Sequence, residues 1–521
     1  VGKARFENSL HYKWNETIYQ TISHQEINMR YLSTRDTEKK NYVSSAFAIK
    51  QGLAPDGGLY VPESFPSVTP EFIASLADKS YVERAVDVLS LYLTDYSREE
   101  LVKCCSEAYA ESSFPGGAAP LYKIDNSHYT LELWHGPTCA FKDMALQLMP
   151  RLLSLALGKT GEEKDALILV ATSGDTGKAA LEGYKDVDRI KICVFFPVDG
   201  VSRVQKLQMT TQSGNNVGVS AIVGNFDDCQ NGVKQIFGDK KANEAINKKG
   251  YVLSSANSIN WGRLVPQIVY YFSAYADLVK EGRIKNGDKI NFCVPTGNFG
   301  NIFAGYCAYR MGLPINRFIC ASNKNNVLTD FFETGVYDRN RKFYTTASPS
   351  MDILISSNLE RLLWCAAGSA KTVDYMTKQK ADGIYKTDDT AMAEIRNMFS
   401  GYYADDIDCA KTIRNVWNGH KYLIDTHTAV GVACVNKYRE DTEDETLCVT
   451  DSTASPFKFS DKVYEAVTGK QSPEGYAALS ALEAATELKA PAPLCGLDKR
   501  EVRFTAVARP EEMFREVLGM L

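Results

Sequence analysis

The feature that most constrains this chain is an alternation of two hydrophobic periods. From Leu121 onward, apolar runs of strand length alternate with amphipathic runs of helix length for roughly 300 residues. "HYTLELW" (128–134), "DALILVATSGDTG" (165–177), "IKICVFFPVDG" (190–200), "NNVGVSAIVG" (215–224), "DKINFCVPTGNFGN" (288–301) and "NRFICASNKNN" (316–326) each read as a strand running into a turn. Residues 139–157, 228–247 and the later part of 255–279 read as helices. Successive parallel strands need a crossover, usually a helix. The pattern therefore predicts parallel sheets covered on both faces.

A chain of 521 residues exceeds what one hydrophobic core serves. The expected division is a mixed, largely helical N-terminal domain over 29–115, followed by two α/β domains. The larger takes 116–150 and 286–460, the smaller 151–285, and a helical extension follows over 461–521. Residues 1–28 are polar and precede "MRYLSTRD", a more natural start at Met29, so they are expected to be a leader or extension.

Composition excludes several function classes. A net charge of −5 without a basic stripe gives no footing for nucleic acid or an anionic membrane. No apolar run approaches bilayer length. Thirteen cysteines, an odd number with no C-x-x-C spacing, point to reduced thiols and a cytoplasmic setting. The six histidines include no H-E-x-x-H and no zinc spacing, so no metal site is expected.

The chemistry must then sit in the turns, because open α/β sheets bind ligands at the carboxyl ends of their strands. In "VPTGNFGN" (294–301), Gly297 and Gly300 permit a tight turn at a helix start. Its N–H groups would point one way, an anion cup suited to a phosphate. In "TSGDTGKAA" (172–180), Ser173, Asp175 and Thr176 offer two hydroxyls and a carboxylate, although an N-cap with turn glycines would look the same. "WHGPTCAFKDMALQ" (134–147) carries one lysine, Lys142, between Phe141 and Asp143. An amine that forms an imine needs a lowered pKa, which apolar burial provides. The ordinary alternative is a solvated lysine beside a helix-start acid. Taken together, an imine lysine, a phosphate cup and a hydroxyl-rich stretch, "TDSTASPFKF" (450–459), fit pyridoxal phosphate. Thr453 there offers a partner for the pyridine nitrogen.

These motifs also carry a family resemblance. "YLSTRD", "GLAPDGGLYVP", "HGPTCAFKDMALQ", "SGDTG", "SANSINWGRLVPQ", "PTGNFGN", "SPSMDILISSNLERLLW" and "TASPFKF" occur in the order found in threonine synthases. The chain resembles that family over roughly residues 29–460, and its long flanks resemble the longer bacterial and fungal branch. The resemblance implies an α/β, fold-type II pyridoxal-phosphate enzyme, tryptophan synthase β-like, with two parallel-sheet domains and a mixed N-terminal domain. It implies that Lys142 carries the cofactor imine and that Gly297, Asn298, Phe299, Gly300 and Asn301 cradle its phosphate. Thr453 would bond the pyridine nitrogen. Ser173, Asp175, Thr176, Asn257, Asn260 and Arg263 would lie near the substrate. Arg263 and Lys206 are candidates for the substrate phosphate, since charge-assisted bonds suit a dianion. Ser348 and residues 351–353 match a motif read as structural. Two positions depart from the family pattern: Ser455 where many members have histidine, and Asn301 where many have aspartate. Asp451 is a rival to Thr453 at the ring nitrogen.

The activity so implied is threonine synthase: O-phospho-L-homoserine and water give L-threonine and phosphate. The partner is that small substrate, with no nucleic acid or membrane, and the chain would act as a monomer or homodimer. The alternatives are a phospho-lyase releasing a 2-oxo acid, or a fold-retaining protein without catalysis.

Overall fold

The computed structural model describes residues 28–172 and 174–521. The expectations for the leader and for the Ser173 hydroxyl fall outside the described residues. The N-terminal region opens with an antiparallel pair, β1 (Tyr31–Ser33) and β2 (Tyr60–Pro62). Helices Tyr81–Ser90 and Arg98–Ala108 follow, each begun by a reciprocal Ser–Glu cap that satisfies N–H groups a helix start leaves open.

The chain enters a larger sheet with β3 (Leu121–Lys123) and β4 (His128–Glu132). It leaves for β5 (Asp165–Ala171), β6 (Ile190–Pro197), β7 (Val217–Ile222) and β8 (Tyr251–Ser254), then returns with β9 (Ile290–Pro295) and β10 (Ile315–Ser322). A short antiparallel pair, β11 (Val336–Asp338) with β12 (Ile384–Lys386), precedes β13 (Phe399–Tyr403), β14 (Cys448–Ser452) and β15 (Val507–Ala508). The larger sheet runs β13-β10-β9-β14-β4-β3 and is parallel except for β3 against β4. The smaller runs β15-β7-β6-β5-β8 and is parallel throughout. β9 and β14 are buried at every position, as strands covered on both faces must be.

One helix, Trp261–Lys280, is apolar almost all round and buries 17 of its 20 residues. It packs against helices Gly300–Met311, Tyr81–Ser90 and Lys142–Leu146, and so joins the N-terminal region to the sheets.

Three expectations change. Residues 139–157 form two helices, Lys142–Leu146 and Met149–Lys159, with Pro150 seated at the start of the second, where its missing N–H costs nothing. Residues 228–247 also divide, at Asp239, which ends one helix and caps the next. The chain after residue 460 is not one helical unit. Helices Ser460–Thr468 and Ala477–Thr486 pack into a core on the larger sheet, while β15 extends the smaller sheet and helix Met513–Met520 covers it. A strand of two residues is too short for periodicity to reveal.

Helix Asp175–Tyr184 lies hard against helix Lys142–Leu146. A Cβ on Gly183 would come within 1.9 Å of the Leu146 carbonyl oxygen, a backbone atom that cannot step aside. Gly183→Ala is therefore expected to lower stability by about 2–3 kcal/mol through overpacking. A urea titration reads this as a lower midpoint, and an unchanged midpoint would contradict so close a helix approach.

Candidate active site

The segments that follow β4, β5, β9 and β14 meet one another at the carboxyl ends of parallel strands. Lys142 opens its helix from a turn pinned to the segment after β14. The Phe141 N–H donates to the Thr453 carbonyl at 2.8 Å, the Ser455 N–H donates to the Cys139 carbonyl at 3.0 Å, and Ala140 bridges Ala454. The strand end that carries Thr453 thus also places the lysine.

The Lys142 side chain is 8% exposed. Its Nζ lies 3.4 Å from Ser350 Oγ and 4.9 Å from the centre of the Phe141 ring. Burial drives its pKa down to about 8; the Asp175 carboxylate opposes the shift, and the Arg263 and Lys458 cations add to it. Asp143 is not a solvated helix-start acid. It is fully buried, accepts the Thr138 N–H at 2.8 Å and the Thr138 hydroxyl at 2.7 Å, and burial raises its pKa to about 6. Its role is to brace the turn that precedes the lysine.

Asp175 begins the helix after β5. Lys458, from the segment after β14, pairs with it at 2.8 Å while also donating to the Thr138 carbonyl at 3.0 Å. Gln205 donates to the same carboxylate at 3.0 Å, and Ser350 Oγ lies 3.4 Å from its other oxygen. Burial alone would raise this carboxyl, but the ammonium groups of Lys458 and Lys142 more than offset it and hold the acid well below the usual carboxylate range. Thr176 is half-buried one residue on. Thr172 Oγ1 accepts the N–H groups of Gly174 and Gly177, which closes the turn.

The loop after β9 is a cup of amides. Its carbonyls are turned outward and satisfied: Gly297 O accepts from the Ser356 hydroxyl at 2.7 Å, and Asn298 O accepts the Asn358 N–H and side-chain amide at 3.1 and 2.7 Å. The N–H groups of residues 297–302 find no acceptor among the described residues. Phe299 holds a left-handed conformation (φ 62°) at the helix N-cap, kept there by its packing on Phe332 and Phe399. Gly297 has no room for a side chain, since a Cβ would approach the Ser350 carbonyl oxygen to 2.6 Å. Six amides without an acceptor among the described residues, at a helix start that meets Ser350, the neighbour of a buried lysine of lowered pKa, fit the phosphate and aldehyde of pyridoxal phosphate.

Beneath the cup, the Asn301 side chain does not contribute to the cradle. Its oxygen accepts from the hydroxyls of Tyr270 and Tyr271, on the central helix, and Tyr271 also donates to Asp451 at 3.2 Å. Burial pushes Asp451 up to about 7, with the neighbouring Asn301 amide and the Tyr271 hydroxyl holding it back only in part. An aspartate at 301 would put a second carboxyl beside Asp451, a repulsion that asparagine avoids. Thr453 follows two residues after Asp451 and is 5% exposed. Ser455 is buried, and its hydroxyl caps the next turn by accepting the Phe457 N–H.

Arg263 is buried and donates to the Ala256 carbonyl at 3.0 Å, with no carboxylate partner among the described residues. Burial lowers its pKa to about 10, and Tyr184 opposes the shift. Asn260 has both amide hydrogens committed, to Ile49 O and Ser255 O, and its oxygen caps the central helix, which makes it a scaffold residue. Asn257 and Lys206 are exposed. Sequence reasoning missed Lys458, Gln205 and Ser350. Lys458 lay in a quoted motif, but nothing in its spacing marks it as the partner of an acid some 280 residues earlier. Ser348 is buried and bonded to Asn323, in keeping with a structural role.

Comparison with known proteins gives three family matches in chain order. Residues 30–109 match the threonine synthase N terminus, residues 113–451 the pyridoxal-phosphate dependent enzyme family, and residues 428–517 the threonine synthase C-terminal family. Threonine synthase of Pseudomonas aeruginosa is 41% identical over 446 residues, which cover 85% of this chain and 91% of that one. Human threonine synthase-like 1 is 38% identical over 470 residues, or 87% of this chain, and this chain spans only 62% of that protein's length. The crystal structure of pyridoxal-phosphate-bound threonine synthase from Brucella melitensis superposes with a TM-score of 0.83 at 39% identity, covering 94% of this chain and 99% of that one. The lysine seat, the amide cup and these matches agree, and the chain belongs to the threonine synthase family of pyridoxal-phosphate-dependent enzymes.

Proposed function

We propose that this chain converts O-phospho-L-homoserine and water to L-threonine and phosphate. The observation that carries the reading is Arg263. A buried guanidinium without a carboxylate partner among the described residues, near enough to Lys142 to depress its pKa, is a site prepared for an anion other than the cofactor phosphate held by the cup. A substrate with a phosphate at one end and an amine at the other spans that requirement.

Lys142 would hold pyridoxal phosphate through its aldehyde, the amides of Gly297, Asn298, Phe299, Gly300 and Asn301 through its phosphate, and Thr453 through its ring nitrogen. Bound there, the cofactor supplies an electron sink for charge developing next to the substrate amine. Lys142 Nζ takes and returns protons at the substrate carbons, a task suited to an amine whose pKa is about 8. Asp175, kept anionic by Lys458, steadies the protonated form of that amine. Arg263 anchors the substrate phosphate and accompanies it as it leaves. Thr176 lines the substrate side with Asp175. Ser173 and Asn257 are candidate contacts there, Lys206 a second candidate for the phosphate, and Asn260 supports them from behind. Burial of the lysine, the acid and the guanidinium keeps bulk water from competing for the protons.

The chain would act as a monomer or homodimer. We place the chemistry in a reducing compartment such as the cytoplasm, on the support of thirteen cysteines that are all unpaired. No helix among the described residues is long and apolar enough to cross a membrane.

Product analysis with O-phospho-L-homoserine tests the reaction. Threonine and phosphate in equal amounts are expected, and Lys142→Ala should lose both the products and the imine absorbance. Phosphate with 2-oxobutanoate would instead make the chain a phospho-lyase. A second expectation concerns pH. The neutral amine is the nucleophile, so imine formation in apoprotein should accelerate as pH rises through about 8 and level above it. A solvated lysine would keep accelerating toward about 10.4. Third, Arg263→Lys keeps the charge but loses the two-pronged geometry, and should raise KM for the phosphorylated substrate about tenfold with less change in kcat. An unchanged KM would remove Arg263 from the phosphate site.

A further inference from the structure

A buried histidine, outside the machinery described above, reaches Lys142 through one turn. His427 opens helix Thr426–Thr442 and is 2% exposed. Asp425, the cap of that helix, has no exposed surface. Its Oδ2 accepts the His427 N–H at 2.9 Å and faces the ring Nδ1 at 2.7 Å, while Oδ1 accepts the Thr428 N–H at 3.0 Å and the Thr428 hydroxyl. A carboxylate facing Nδ1 puts the ring proton there and leaves Nε2 as an acceptor. Nε2 accepts the backbone N–H of Ser350 at 3.1 Å.

Ser350 is the middle residue of the turn Pro349–Met351. Its Oγ stands 3.4 Å from Lys142 Nζ and 3.4 Å from Asp175 Oδ2, and its carbonyl oxygen is the atom that forbids a side chain on Gly297. A single turn therefore touches the lysine, the acid beside it and the amide cup. Its N–H is held by a ring whose tautomer a second carboxylate has fixed.

We propose that Asp425 and His427 are positioning residues for Lys142. They hold the Pro349–Met351 turn so that the Ser350 hydroxyl lies between Nζ and Asp175 and orients the amine. When Nζ bonds to an aldehyde carbon, its two hydrogens and the aldehyde oxygen leave as water, and the amine lone pair must point at that carbon. The proposal rests on Lys142 as the imine lysine and is independent of the substrate.

Two replacements separate the two bonds of the ring. His427→Asn retains a donor for Asp425 but has no acceptor within reach of the Ser350 N–H. His427→Gln carries its oxygen to the Nε2 position and loses the donor. The measurement is the rate of imine formation when pyridoxal phosphate is added to the full-length apoprotein, followed by the imine absorbance, with thermal midpoints alongside. Ser350→Ala and His427→Asn should each slow it about tenfold, the worth of one hydrogen bond. His427→Gln should stay within about threefold of the unaltered chain, and the Ser350→Ala/His427→Asn double variant should be no slower than Ser350→Ala alone, because the histidine acts through the serine. Equal slowing by asparagine and glutamine, or losses that multiply in the double variant, would overturn the proposal. So would an unaffected Ser350→Ala, which decides the matter even where a position-427 variant does not fold. No substrate is added, so a chain that forms the imine normally but makes no threonine refutes the proposed reaction alone.

Discussion

One buried carboxylate, Asp175, pairs with Lys458 and acts on the charge of Lys142 where the two sheets meet. Asp175 arrives on the smaller sheet, after β5, while Lys142 and Lys458 arrive on the larger, after β4 and β14. An unpaired charge in that environment would be severely destabilising, and removing one member of such a pair typically costs about 3–5 kcal/mol. The pair at 2.8 Å is thus a constraint on how the sheets can sit. Because the Asp175 pKa is held below its ordinary value, its stabilising share is complete above the usual carboxylate range. That share is lost progressively as pH falls from the ordinary value to the depressed one. The same arrangement lets Lys142 carry a proton part of the time without leaving it bound too tightly to give up.

The phosphate cup shows a second economy of construction. Its carbonyls are taken by Ser356 and Asn358, so the amides are the groups left facing inward. Asn358 is itself held by Arg361, a fully buried guanidinium that also binds the carbonyls of Tyr60 and Ile259. The N-terminal region, the segment before the central helix and the phosphate loop therefore converge on one residue. Phe299 carries the backbone strain of the turn, and its aromatic neighbours hold it in place. A loop arranged before any anion arrives loses little entropy on binding one.

The N-terminal and C-terminal segments also have structural work within this architecture. Arg35 and Thr34 bind Glu360, next to that arginine. At the other end of the chain, β15 and helix Met513–Met520 cover the outer edge and one face of the smaller sheet, where Met520 and Met513 lie against Gly218 and Gly232. The edge of β7 is thereby paired at Ala221 and Ile222.

The sequence by itself determined the sheet class, most of the parallel strands and the glycine turns, because hydrophobic period and turn chemistry are local properties. It also marked Lys142 and the cup at 297–301, since each sits in a short stretch whose composition is unusual, while Arg263 was named only through the family resemblance. Tertiary structure decided what those residues do. It made Asp143 a brace and Asn260 a cap, turned the Asn301 side chain away from the cup, and gave Asp175 a lysine from the far end of the chain. It raised Ser350 and His427 from unremarked positions to neighbours of the site. Those outcomes depend on contacts between strand ends hundreds of residues apart, and on burial, which sets a charge's partner and pKa. No local pattern carries either quantity.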